Sequence, residues 1–102
     1  MKKFSADEAA ALAQRLPHWR LHDHGLALTR EFEFADFAQA FAFMAHMALH
    51  SERLNHHPDW SNVYRHVKVT LSTHDAHGLT PLDEAWAQAA DAYCAQPSPR
   101  LA

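Results

Sequence analysis

Asn55-His56-His57-Pro58-Asp59-Trp60 is the run at which this chain changes from helix to sheet. The residues before it, 37–53, carry apolar side chains at helical spacing. Pro58 fits a helix that has just ended, because proline biases the residue before it towards an extended backbone. After the run, Val67-Lys68-Val69-Thr70-Leu71-Ser72 alternates apolar and polar residues and predicts a strand. The run therefore lies on a helix-to-strand connection, a place where a rigid scaffold can present functional side chains.

The long helix is predicted from Phe37 to about Arg53, with Asp36 as its N-cap. Its apolar stripe is expected to pack in the core rather than to bind a cofactor. His46 and His50 are four residues apart on this helix, a spacing that suits two metal ligands. The motif contains no third ligand, so we predict no metal site there. The residues of the stripe are Phe37, Phe41, Met44, Ala45, Ala48 and Leu49.

The remaining patterns complete the order α-β-β-α-β-β-α. This order predicts an α+β fold, a two-layer sandwich in which three helices pack on one face of a four-stranded antiparallel sheet. The other face of the sheet is left to solvent or to a second subunit. The elements outside the central unit are a first helix from the capping box at residues 5–8 to Pro17, a hairpin of residues 19–21 and 26–34, a short strand at 62–64 and a last helix from Thr80.

The length of 102 residues is enough for one domain and too short for two. Residues 1–102 are therefore predicted to form a single domain. Residues 1–4 and 96–102 are expected to be frayed ends. A core of this size also favours burial against another subunit.

Charge, cysteine content and hydropathy limit the possible partners and the cellular compartment. The net charge is −3 with histidines neutral, which argues against a nucleic-acid partner. The single cysteine, Cys94, cannot form an internal disulfide, which fits a reducing compartment. Residues 1–5 turn polar too soon for a signal peptide, and no apolar run approaches the roughly 20 residues of a membrane span. We predict a cytoplasmic protein with no membrane partner.

Three histidines of the central stretch can act together on one ligand: His56, His57 and His74. Imidazole exchanges protons near neutral pH, so this group suits general acid–base catalysis. Glu52 can orient one of the rings and favour its charged form. Two other interpretations stay open: the three histidines bind zinc, or they have a structural role at a helix end. The chain has no Gly-rich phosphate loop and no nucleophile in a recognised motif, which favours proton transfer without a covalent intermediate.

These residues and their spacing resemble the pterin-4a-carbinolamine dehydratase family. The matches extend from about Phe32 to about Ala90, and several motifs in the family's order are more specific than any one of them. Arg53 stands where the family commonly has lysine, and His77 where it often has glycine. The matching motifs are Glu52-Arg53-Leu54-Asn55-His56-His57-Pro58-Asp59-Trp60, Asn62-Val63-Tyr64, Leu71-Ser72-Thr73-His74-Asp75 and Gly78-Leu79-Thr80.

The resemblance implies a hydro-lyase that dehydrates 4a-hydroxytetrahydrobiopterin to quinonoid dihydrobiopterin and water. It implies no metal and no organic cofactor. The reaction belongs to tetrahydrobiopterin recycling, so the implied functional link is to an aromatic amino-acid hydroxylase. Family members form homodimers and homotetramers. The alternative is a non-catalytic pterin-binding, regulatory or coactivator module of the same fold.

The resemblance also assigns roles to residues. His56, His57 and His74 are expected to be catalytic, with His56 and His74 transferring protons and His57 mainly positioning the pterin. The expected substrate-binding residues are Glu52, Pro58, Trp60, Ser72 and Thr73. A plain core position for the Trp60 indole is the competing interpretation.

Overall fold

Three helices and four strands make up the described part of the chain, residues 1–96 of this computed structural model. None of these helices is both long and apolar enough to cross a membrane. The predicted fraying of residues 97–102 lies outside the described residues, and the single-domain assignment stays a prediction. The elements are α1 (Ala6–Arg15), β1 (Arg20–His22), β2 (Ala27–Glu33), α2 (Phe37–Leu54), β3 (Asp59–Val63), β4 (His66–Leu71), a 3₁₀ turn (His74–Ala76) and α3 (Pro81–Ala95).

The four strands form one antiparallel sheet in the order β1-β2-β4-β3. The predicted hairpin is present, with Leu21 opposite Leu28, and the second hairpin places Trp60 opposite Val69. Strand β4 lies between β2 and β3, so Leu28 also faces Leu71. The α+β fold with a four-stranded antiparallel sheet is confirmed.

The core lies between the helices and one face of the sheet. Leu12 of α1, Phe43 of α2 and Trp86 of α3 are fully buried against Leu28 and Val69 of the sheet. Burial of side chains of this size contributes about 1.5–3 kcal/mol each. The packing fixes the direction of α2 and α3, and these two helices carry the residues of the site.

The helix starts follow the predicted caps. Ser5 and Glu8 form a capping box at α1, and Asp36 accepts a hydrogen bond from the Gln39 amide at the start of α2. At α3, Thr80 is the N-cap and Asp83 closes a second capping box. Each cap satisfies amide groups that have no partner within the helix. The α3 cap is special in that its carboxylate is fully buried.

The predicted core stripe of α2 is wrong. Phe37, Phe41 and Leu49 are 50%, 53% and 61% exposed, and Ala45 and Ala48 are also exposed. Only Met44 of the stripe packs against the core. Helix α2 is apolar around most of its circumference, so helical periodicity alone does not determine which face is buried. The buried face is Ala40, Phe43, Met47 and Ser51.

Candidate active site

The end of α2 separates the two adjacent histidines. Asn55 is the C-cap, and its left-handed backbone (φ 49°) lets the next amide, that of His56, donate to Ser51 O at 3.0 Å. Asparagine tolerates this conformation better than most residues. As a result His56 is 7% exposed, whereas the side chain of His57 is 57% exposed.

The buried His56 is paired with Asp83 of α3. Its Nε2 lies 2.6 Å from Asp83 Oδ1, and the carboxylate is fully buried. The other oxygen, Oδ2, accepts hydrogen bonds from Thr73 Oγ1 at 2.8 Å and from the Thr80 amide at 2.9 Å. A buried carboxylate is tolerated when donors surround it, and Asp83 has three.

These bonds fix the placement of protons in the pair. The partners of Asp83 Oδ2 both donate, so this oxygen is an acceptor, and with an ionised carboxylate Oδ1 accepts from a hydrogen on His56 Nε2. A neutral His56 then has its free lone pair on Nδ1. The Thr73 hydroxyl hydrogen points to Asp83, so the Thr80 hydroxyl donates to Thr73 Oγ1 at 2.7 Å. The network orients one imidazole with a defined basic atom.

The other two histidines are exposed. His57 Nε2 lies 2.7 Å from Glu52 Oε2, a hydrogen bond at the surface in which the Glu52 side chain is 77% exposed. His74 begins the 3₁₀ turn after β4. The preceding residue, Thr73, is held by paired backbone bonds to Gly78, which fixes the loop that carries His74. The three histidines therefore comprise one buried and two solvent-exposed imidazole rings.

All three predicted catalytic histidines line one cavity of about 450 Å³. Ser72 and Thr73, the predicted substrate-binding residues of this segment, line it too, and Glu52 reaches it through His57. Among residues 1–96, the lining is Met1, Leu54, Asn55, His56, His57, Ser72, Thr73, His74, Asp75, Ala76 and Leu82. A cavity of this size falls in the range typical of small-molecule sites.

Pro58 and Trp60 are not part of this described lining. Trp60 instead packs edge-on against Trp86, with ring centroids 6.0 Å apart, and is partly buried against the core. Their role as an apolar wall stays a prediction. Leu54, Leu82 and Met1 supply apolar surface of the cavity.

Sequence reasoning missed Asp83 as a site residue. The pattern placed it in the first turn of a helix, where an acidic side chain is favourable in any protein. Its capping bond to the Thr80 amide satisfies that expectation locally and gives no hint of His56, which lies 27 residues earlier. The sequence offered one signal: Asp83 occupies a capping-box position at which Glu or Gln is usual.

Within residues 1–96, no three His, Cys, Asp or Glu side chains lie close enough together to hold a metal ion. His46 and His50 do lie together on α2, with ring centroids 5.1 Å apart, and His46 packs on Tyr93. Burial lowers the pKa of His50, and the neighbouring His46 and Arg53 lower it further.

Comparison with known proteins identifies one family. A family model described as pterin 4 alpha carbinolamine dehydratase matches residues 2–93. A Novosphingobium aromaticivorans protein with the provisional name pterin-4-alpha-carbinolamine dehydratase is 51% identical over 86 residues, which is 84% of this chain and 90% of the relative. A Burkholderia ambifaria protein with the same provisional name is 46% identical over 97 residues, 95% of both chains.

Two solved structures are similar in fold. A transcriptional coactivator/pterin dehydratase from Brucella melitensis superposes with a TM-score of 0.86 at 42% identity, over 89% of this chain and 97% of that one. A pterin dehydratase-like protein identified as a RuBisCO assembly factor in the alpha-carboxysome gives a TM-score of 0.66 at 26% identity, over 78% and 92% of the two chains. The resemblance predicted from the sequence motifs is confirmed.

Proposed function

The chain belongs to the pterin-4-alpha-carbinolamine dehydratase family, and we propose that it removes water from 4a-hydroxytetrahydrobiopterin to give quinonoid dihydrobiopterin. In this reaction the C4a–O bond breaks and the hydroxyl leaves as water after it takes up a proton. The N5–H bond gives its proton to a base, and its electrons form the C4a=N5 double bond. One acid and one base are therefore needed, and no oxidant or reductant.

The observation that carries the proposal is the buried His56–Asp83 pair at the cavity that His57 and His74 also line. We assign His56 as the base. Asp83 orients its ring and stabilises the imidazolium that forms when Nδ1 takes the N5 proton. His74, at the exposed rim, protonates the departing hydroxyl. His57, held by Glu52, positions the pterin.

Turnover of enzymatically generated 4a-hydroxytetrahydrobiopterin tests this assignment, with uncatalysed water loss as the baseline. His56→Ala and His74→Ala should each lower kcat by about 10²–10⁴-fold, the usual value of a positioned acid or base. His57→Ala should mainly raise KM. His22→Ala is the matched control, because His22 lies in the exposed strand β1. Wild-type kcat in both His56→Ala and His74→Ala would refute the mechanism.

The cellular role follows from the product. We propose that quinonoid dihydrobiopterin returns to a reductase in tetrahydrobiopterin recycling, so that the chain serves an aromatic amino-acid hydroxylase. Its expected location is the cytoplasm. The recycling role is what the family resemblance implies.

We also propose that the protein is a homodimer or homotetramer. Phe37, Phe41 and Leu49 form an exposed apolar face on α2, and a face of this kind favours contact with a like surface. Strand β3 is a free sheet edge with an exposed Val63. Sedimentation of wild type and Phe41→Lys tests this: the variant should dissociate, whereas a monomeric wild type would refute it.

A non-catalytic regulatory module is the second candidate. The two solved relatives are described as a transcriptional coactivator/pterin dehydratase and as a RuBisCO assembly factor, so the family fold serves more than one role. Absence of turnover in well-folded protein that still binds biopterin would favour this candidate.

A further inference from the structure

Among the first four residues, Phe4 anchors the segment to the fold and Met1 lines the cavity. The Phe4 amide donates to Leu79 O at 2.7 Å, and the Phe4 ring packs partly buried against the core. From this anchor the chain leads back to Met1, whose side chain lines the cavity although the residue is 73% exposed. We call residues 1–3 the N-terminal arm. It is anchored through the next residue, Phe4, by the bond to Leu79.

Gly78 lets the arm pass close to the loop of the site. A Cβ at Gly78 would lie 3.0 Å from Lys3 Cδ and 3.4 Å from Leu26 Cδ2. The same glycine forms the backbone bridge to Thr73, which is next to His74. The arm is therefore packed on the loop after β4, which supplies residues 72–76 of the cavity lining.

A flat pterin needs apolar surface against its ring faces. In the described lining, that surface comes from Leu54, Ala76, Leu82 and Met1, and not from Trp60. Leu54 and Leu82 belong to α2 and α3, so the backbones of these helices hold them in place. Met1 is different, because methionine is unbranched, polarizable and adaptable against an aromatic ring.

We propose that Met1 is a substrate-contacting residue, and that the N-terminal arm closes the outer side of the cavity over the bound pterin. This inference rests on the proposed pterin site. The arm sets how tightly the heterocycle is held and does not transfer protons. Loss of its position should therefore raise KM and leave kcat nearly unchanged.

Oxidation footprinting tests the contact directly. Dilute peroxide adds one oxygen to an exposed methionine sulfur, giving the sulfoxide and water, and mass spectrometry measures the rate for each methionine. Saturating biopterin should slow oxidation of Met1 by at least about threefold, because a covered thioether is shielded from peroxide. Met44 is the internal control, since it does not line the cavity and reports any peroxide that the biopterin consumes. An unchanged Met1 rate with bound biopterin would overturn the inference.

A pair of variants tests how the arm is held. Gly78→Ala should displace Lys3 and raise KM about two- to tenfold, a loss of roughly 0.4–1.4 kcal/mol in binding. Lys3→Ala/Gly78→Ala should restore most of it, because the Lys3 Cδ that would lie 3.0 Å from the new Cβ is gone, and only Lys3 Cβ and Leu26 Cδ2, each at 3.4 Å, remain close. If the double variant remains as impaired as Gly78→Ala, the arm is not the cause and the proposal fails. Turnover of wild type is scored separately: its absence with no biopterin binding would overturn the pterin site and the arm together, whereas normal turnover with unprotected Met1 would overturn the arm alone.

Discussion

Replacing Asp83 by asparagine should damage catalysis far more than stability. Asparagine keeps the shape of the side chain but can accept hydrogen bonds on only one of its two terminal atoms. Its oxygen can still serve Thr73 and the Thr80 amide, which keeps two of the three bonds. Its NH₂ group then faces His56 Nε2, where a donor now meets a donor. His56 can accept that bond only by moving its hydrogen to Nδ1, which removes the free lone pair assigned to the base.

The expected losses of stability and of kcat both follow from the changed contact between residue 83 and His56. A hydrogen bond to a charged group contributes about 1.5–3 kcal/mol, so Asp83→Asn should cost about 2 kcal/mol of unfolding free energy. At about 4–8 °C per kcal/mol for a domain of this size, Tm should fall by about 8–16 °C. A wrong tautomer should lower kcat by about 10²–10⁴-fold, comparable to loss of the base itself.

Asp91→Asn is the matched control for this experiment. Asp91 is also a carboxylate of α3 with donors around it, since its Oδ1 accepts from Trp19 Nε1 at 2.8 Å and from Arg30. It does not line the cavity. Urea unfolding should show similar losses of stability for the two variants, and steady-state turnover should separate them. Equal kcat values for Asp83→Asn and Asp91→Asn would refute the assignment of His56 and Asp83.

Three further outcomes are expected. Glu52→Gln should change unfolding free energy by less than about 0.5 kcal/mol in urea titrations, because the pair with His57 is exposed, and should raise KM less than about fivefold. His50→Gln should flatten the pH dependence of the unfolding free energy. Burial, and then the neighbouring His46, lower the pKa of His50 in the folded protein from its ordinary value of 6.5. The unfolded chain therefore takes up this proton at a higher pH, and the contribution of His50 to stability is lost as the pH falls below about 6.5. Burial raises the pKa of the Cys94 thiol, so iodoacetamide should label it more slowly at pH 8 than in the urea-unfolded chain.

The order of elements was predictable because each carries its own local signal. The capping box at Ser5 and the Thr80-Pro81 start specify two helices, and the alternation at 67–71 specifies a central strand. The pairing of β3 with β4 follows from their short connection, but the pairing of β2 with β4 does not, because α2 and β3 lie between these strands in the chain. Local signals therefore identify the elements, and tertiary packing sets the order of the strands.

The buried face of α2 was not predictable by the same means. Stripes at 37, 41, 45 and 48 and at 40, 43, 47 and 51 have equal helical spacing. The choice is made by tertiary contacts: Ser51 Oγ accepts from Trp86 Nε1 at 2.9 Å, and Phe43 packs on Phe32. A buried serine with a partner on another helix is favourable only after the fold exists. A prediction based on apolar content therefore placed the exposed Phe37 and Phe41 in the core.

The three histidines were found because the sequence places titratable groups at two connections of the same sheet end. The hydrogen-bond partners of these histidines were predicted less completely. Glu52 is five residues from His57 and was predicted to orient a ring, and its Oε2 lies 2.7 Å from His57 Nε2. Asp83 comes from another helix, and no local rule links it to His56.

Asp83 connects the stability of α3 to the chemistry of the cavity. A serine or threonine cap alone would satisfy the free amides at the start of α3, but only a carboxylate can also hold His56 Nε2. Burying that charge requires all three donors, and two of them, Thr80 N and Thr73 Oγ1, are in place only when the first turn of α3 is docked on the loop after β4. Opening of that turn would leave Asp83 partly unpaired and release His56 while the sheet and α2 remain folded. The site is therefore expected to lose its base by local unfolding of α3 before the domain unfolds as a whole.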